Sequence, residues 1–179
     1  CIGEPSIEPL PWKNVQVLAE GSGKTFTALA LHPAGEYIIT AGYPDIHGNT
    51  EELHLWNRKN DQYATTPDVL TRLHNTQQIE QLALNPRHNI LYYVYRKTYT
   101  SIKSTHTEEI RYVKLNKENG TFIACKQNTY YNAIATGSNK LLVANYSATL
   151  HSKENSIQVF DLNKHLTKGG QPTTYLTRH

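Results

Sequence analysis

The sequence predicts an all-β protein built from three similar sheets, and three observations carry this prediction. Short runs rich in β-branched and aromatic residues alternate apolar with polar positions, as half-buried strands do. The pattern returns twice along the 179 residues, and aligning Leu31, Leu84 and Ala135 gives spacings of 53 and 51 residues. Gly, Pro, Asn and Asp residues separate the runs, as expected of tight turns between antiparallel strands.

Each repeat opens with two strands joined by a short turn, and the three openings are residues 27–40, 79–94 and 132–144. A third strand follows each opening after a polar loop, at residues 53–60, 110–120 and 157–164. A shorter fourth strand is expected at residues 69–73, 122–126 and 173–176. Four antiparallel strands in a repeat of about 50 residues are typical of a β-propeller blade. The three blades are therefore expected at about 27–75, 79–127 and 130–177.

One more strand is expected at residues 12–19, ahead of the first blade. A lone strand and three blades cannot close a ring, because closed propellers use at least about four blades. The expected fold is therefore β-propeller-like, partial or unclosed, with two open blade edges. Open sheet edges favour pairing with further chains. The expected partners at these edges are other proteins or another copy of this chain.

The first two repeats resemble the WD-type branch of the broad WD40, YVTN and lactonase-type propeller superfamily, a resemblance that covers about residues 13–177. Residues 28–33 and 82–86 stand where WD-type repeats have a strand and a Pro turn. Leu55, Trp56 and Asn57 stand where those repeats have Trp-Asp. The resemblance implies blades of four antiparallel strands.

The third repeat is more similar to the YVTN and lactonase branch, over residues 141–147 and 157–162. This similarity implies an alternative function, hydrolysis of a sugar lactone by His, Glu or Arg side chains near the central channel. No residue of this chain matches a catalytic motif of that branch.

Cys1 leads to a second expectation, which concerns attachment to a membrane. A chain that begins with Cys resembles a mature bacterial lipoprotein, in which this residue carries the lipid, and Ile2 in place of Asp implies the outer membrane. Residues 1–11 contain three Pro and predict a stiff, Pro-rich tether to a domain at 12–179. Cys125 is the only other cysteine, so a Cys1–Cys125 disulfide is the alternative to a lipid.

Composition excludes several function classes. The longest apolar runs are strand-sized, so no segment is expected to cross a bilayer as a helix. A net charge of +3 with scattered basic residues argues against a nucleic-acid partner. No cofactor, metal site or catalytic residue is expected, because Gly23-Lys24-Thr25 lacks the first Gly of a phosphate-binding loop and the nine His show no zinc spacing.

Long connections between the second and third strands carry the candidate site. They contain His beside acidic residues, and equivalent loops of successive blades lie on the same propeller face. The predicted partner-binding residues are His47, Glu51, Glu52, His106, Glu108, Glu109, His151 and Glu154. A shared recognition surface is one interpretation, since function gathers on loops carried by a rigid sheet. Solvated hairpin tips are the other.

The leading functional hypothesis is therefore a non-enzymatic structural or protein-binding module, lipid-anchored within a multiprotein assembly of the cell envelope. Its expected place is the outer membrane or the periplasm, with membrane contact only through a lipid on Cys1. The lactonase-type hydrolase is the alternative, and a secreted fungal or animal protein fragment is a third possibility. Leu31, Leu84 and Val143 are predicted to lie in the core.

Overall fold

A computed structural model describes residues 16, 18, 25–44, 50–74, 78–97, 107–148 and 153–178. These residues form thirteen strands and no helix, which confirms the all-β prediction. The strands assemble into three antiparallel sheets with four main strands each, consistent with a partial propeller-like fold. The tether at 1–11 and its Cys1 lie outside the described residues, as does most of the predicted lone strand at 12–19.

The three sheets follow one another along the chain and are named blades 1 to 3. Blade 1 contains β1 (Thr25–Leu31), β2 (Tyr37–Tyr43), β3 (Thr50–Lys59) and β5 (Asp68–His74), with the two-residue β4 (Gln62–Tyr63) beside β3. Blade 2 contains β6 (Leu82–Asn85), β7 (Ile90–Lys97), β8 (Thr107–Lys114) and β9 (Asn119–Ile123). Blade 3 contains β10 (Thr129–Gly137), β11 (Lys140–Ala148), β12 (Lys153–Asp161) and β13 (Thr173–Arg178).

The turn between the first two strands of each blade uses residues that tolerate a left-handed backbone. Gly35 has a φ of 70° in blade 1, and Asn89 has a φ of 53° in blade 2. Ser138 and Asn139 have φ values of 48° and 57° in blade 3. Glycine adopts this conformation without steric cost, and asparagine is the side chain that adopts it most readily. The turn residues therefore set the strand pairing in all three blades.

Strand pairing aligns the three blades residue by residue. The pairs Ala30–Ile39, Ala83–Tyr92 and Ala135–Leu142 hold the same place in blades 1, 2 and 3. The sequence alignment of Ala135 with Leu31 and Leu84 is therefore wrong by one residue, because Ala135 lies on the other face of its sheet. The pairs Ala41–Leu53, Val94–Ile110 and Ala144–Ile157 are likewise equivalent. Because side chains alternate between the two faces of a sheet, each blade has a leading face, which carries these residues, and an opposite trailing face.

Blade 2 lies between the other two and contributes one face to each of two apolar cores. Its trailing face packs on the leading face of blade 1, and Leu91 and Tyr93 lie in that core. Its leading face packs on the trailing face of blade 3, and Tyr92 and Ile110 lie in the second core. Leading face against trailing face is thus the contact that joins successive blades.

The core predictions are met at two positions of three. Leu84 and Val143 are buried in the two cores, as predicted. Leu31 was predicted to be buried too, but the structure leaves it 55% exposed. Leu31 lies on the trailing face of blade 1, which no blade among the described residues covers, so the prediction for this residue is wrong.

Candidate functional site

The acidic residues predicted to lie in exposed loops belong to strands. Glu51 and Glu52 lie in β3, Glu108 and Glu109 in β8, and Glu154 in β12. Glu51, Glu52 and Glu108 are buried, which contradicts their placement at solvated loop tips. The three histidines of the predicted surface, His47, His106 and His151, lie outside the described residues.

Glu51 holds blade 1 to blade 2. Both of its carboxylate oxygens accept the backbone N–H of Ile79, at 3.1 and 3.0 Å, and Oε1 also accepts the Thr27 hydroxyl at 2.8 Å. Burial raises the pKa of Glu51, and the hydrogen bonds from Thr27 and Ile79 offset part of this rise. The carboxylate therefore satisfies a backbone donor that the blade contact would otherwise bury unpaired.

Glu108 holds the same position between blades 2 and 3. Its Oε2 accepts the backbone N–H of Tyr131 at 2.6 Å, and its Oε1 accepts Arg96 Nε at 2.8 Å. Arg96 reaches the same junction, because its Nη2 donates to the Tyr131 carbonyl at 3.4 Å. Two successive blade contacts thus have the same feature, a buried carboxylate that accepts a backbone N–H of the next blade, just before β6 in blade 2 and within β10 in blade 3.

The backbone N–H groups that donate to these two carboxylates belong to equivalent residues, Ile79 and Tyr131. The equivalent residue in blade 1 is Phe26. In β10, Tyr131 pairs with Asn145 just before a bulge, and in β1, Phe26 pairs with Gly42 just before a bulge at the same place. Tyr131 and Ile79 are 1% exposed, whereas Phe26 is 50% exposed. Phe26 therefore has the position of an inter-blade contact residue, although the described part of the chain contains no blade before it.

The trailing face of blade 1 carries an apolar groove of about 590 Å³. Phe26, Leu29 and Leu31 line it and are exposed, and Leu29 is 70% exposed. The groove floor includes Ile38 and Trp56, and the Trp56 indole donates to the Thr40 hydroxyl at 2.9 Å. Large exposed apolar patches on a folded protein mark interaction sites.

A charged ladder borders the groove on the same face. Glu52 accepts Arg72 Nε at 2.8 Å, and its other carboxylate oxygen lies 2.5 Å from His54 Nε2. Burial alone would raise the pKa of Glu52, but the hydrogen bonds from Arg72 and His54 outweigh it and hold that pKa below its usual range. The trailing face of blade 1 thus combines an apolar half with an ionic half.

The leading face of blade 3 is the second uncovered sheet face. Its exposed apolar side chains cross all four strands of the blade, and they are Ala133, Ala135, Leu142, Ile157 and Tyr175. The same face also exposes polar side chains toward the outer strands, and they are Lys153, Asn155, Thr173 and Thr177. Ile39 and Tyr92, the equivalents of Leu142 in blades 1 and 2, are completely buried. The two end faces are therefore built like inter-blade contacts, but no blade among the described residues covers them. On blade 1, Leu18 of the segment before β1 also lines the groove.

A polar cleft of about 520 Å³ lies near the turns of blades 2 and 3. The Asn85 amide donates to Asn139 Oδ1 at 3.1 Å, and Asn139 in turn donates to Asn163. Arg87 and Lys140 also line this cleft, whereas its described lining contains no Asp, Glu or His. The cleft thus offers mainly amide, guanidinium and ammonium groups as hydrogen-bond donors.

Two further features are absent from the described part of the chain. No helix there is long and apolar enough to cross a membrane. No group of three or more His, Cys, Asp or Glu residues comes together there in a way that could hold a metal ion.

Sequence reasoning predicted open blade edges but missed the residues that form the open faces. The repeat itself was the signal for these residues. It assigns Leu29 and Leu142 to positions whose counterparts in the other blades lie in inter-blade contacts. The burial of Glu51 and Glu108 had a weaker signal, the Thr-Glu-Glu triplet that begins both β3 and β8.

No protein-family model matches this chain, and a search of curated proteins finds no match.

Proposed function

We propose that this chain is a structural, protein-binding propeller module whose open blade faces dock onto protein partners. The observation that carries the proposal is the pair of exposed apolar patches, on blade 1 and blade 3, that no blade among the described residues covers. Their counterparts inside the molecule are buried blade contacts. Glu51 and Glu108 do not belong to the proposed binding surface, because they bond neighbouring blades.

A pull-down with matched variants tests the proposed faces. Ile157→Glu places a charge at the centre of the blade 3 leading face, where Ile157 is 47% exposed. Leu176→Glu is the control, because Leu176 is 49% exposed, in the neighbouring β13, and lies at a register position of the opposite face. We expect Ile157→Glu to abolish partner recovery from native membranes and Leu176→Glu to preserve it, since a buried unpaired charge opposes association. Equal recovery with both variants would contradict the proposal.

A further inference from the structure

The polar cleft near the turns of blades 2 and 3 receives a turn from every blade. Pro33 follows β1, residues 85–87 end β6 and begin the turn after it, and residues 137–140 join β10 to β11. Asn163, which follows β12, also lines the cleft. The cleft shares no described lining residue with the apolar groove on blade 1. It is therefore a second, chemically different site on the molecule.

Hydrogen bonds between side chains hold the walls of this cleft in place. Asn85 is 3% exposed, its amide donates to Asn139 Oδ1 at 3.1 Å, and Asn139 donates to Asn163. The Asn139 carbonyl also accepts the backbone N–H of Leu162 at 3.0 Å, so the turn after β10 is bonded both to blade 2 and to the end of β12. The relay uses the oxygen of Asn163 and leaves its NH2 group as a donor. A site that is held before binding loses little conformational entropy when a ligand enters.

Two cationic side chains line the cleft, Arg87 from the turn after β6 and Lys140 from the start of β11. Neither forms an ion pair with an acidic side chain of the residues that the structure describes. Asp161 pairs with Lys140 across β11 and β12, and the backbone N–H of Asn163, together with the nearby charge of Lys140, holds the pKa of Asp161 below its usual range. Even with Asp161 counted, the positive charges outnumber the negative ones here.

We propose that this cleft binds a small phosphorylated organic molecule, with Arg87 and Lys140 on its phosphate group. A phosphate monoester carries a charge of about −1.5 to −2 near neutral pH and has three strong acceptor oxygens, which two cations match. The planar guanidinium of an arginine can bind two phosphate oxygens at once, and the ammonium of a lysine acts as a compact positive charge.

The size of the cleft indicates that the ligand also has an organic part. Its volume of about 520 Å³ falls within the range of roughly 300–1,000 Å³ that is typical of small-molecule pockets, and it exceeds what a phosphate ion fills. Ser138 and the Asn163 amide line the remaining space and can bind hydroxyl groups. The site is separate from the docking faces, so it goes beyond the proposed function.

Two-dimensional NMR of the whole, isotopically labelled chain tests the site, with ribose 5-phosphate and glucose 6-phosphate as probes. We expect both to shift the backbone resonances of Arg87, Ser138 and Asn163 saturably, and neutral ribose to leave them unchanged. Inorganic phosphate should bind more weakly because it lacks the organic part. Gluconate, a carboxylate of similar size, should bind more weakly because it carries a single negative charge. The absence of saturable shifts with both sugar phosphates would overturn the proposal, as would equal binding of gluconate or ribose.

Variants that each remove one positive charge separate binding in the cleft from attraction by overall charge. Arg87→Ala and Lys140→Ala should each weaken ribose 5-phosphate binding about tenfold, as expected for the loss of a charged hydrogen bond. Lys59→Ala is the control, because Lys59 is exposed at the end of β3 and is not part of the described lining. Equal weakening by all three variants would contradict the site. Partner recovery in the pull-down should be the same for Arg87→Ala as for the wild type, so the two proposals fail independently.

Discussion

Replacing Glu108 with alanine is expected to lower the free energy of unfolding by about 3 kcal/mol. The change leaves the buried N–H of Tyr131 without an acceptor and removes the carboxylate that Arg96 binds at 2.8 Å. Glu108→Gln should cost less, because the amide oxygen can still accept the Tyr131 N–H. Urea denaturation measures the free energy of unfolding of each variant, and equal m-values show that the two can be compared.

The control for this prediction is an ion pair on the surface of the same blade. Glu118 is half-exposed and bonds Lys114 at 2.8 Å. Exposed pairs contribute little, so Glu118→Ala should change the free energy of unfolding by less than about 1 kcal/mol. Similar losses for Glu108→Ala and Glu118→Ala would show that the buried carboxylate does not join blades 2 and 3.

Leu84→Ala is expected to destabilise the chain by about 2–5 kcal/mol, through lost burial and the cavity left behind. Leu31→Ala is the matched control, because Leu31 holds the equivalent position in blade 1 but is 55% exposed. It should cost less than about 1 kcal/mol at concentrations where the chain is monomeric. Thermal or urea unfolding at such dilution compares the two, and equal losses would mean that the blade 1 trailing face is covered within the single chain.

The strand order was predictable because local chemistry determines it. Pro33 and Gly35, and later Pro86 and Asn89, mark turns between alternating runs, and the structure has turns at both places. Repetition at about 50 residues then indicates one blade per repeat. No long-range information was needed for this part of the fold.

The faces and the carboxylates were harder to predict, because their environment depends on neighbouring blades. Leu31 and Leu84 lie in nearly identical local sequences, and only the presence of a preceding blade decides which is buried. Acidic residues are mostly exposed in proteins, so Glu51 and Glu108 read as loop residues. Their burial depends on the backbone N–H groups of Ile79 and Tyr131, which lie 28 and 23 residues further along the chain.

Site-specific photo-cross-linking tests the docking faces most directly. A benzophenone amino acid is placed at position 29, 157 or 176 of the chain and irradiated in native membrane extract. We expect protein adducts at positions 29 and 157, on the two open faces, and none above background at position 176, which is exposed but lies on the opposite face of blade 3. Adducts of equal yield at all three positions, or adducts at position 176 alone, would contradict docking through the open blade faces.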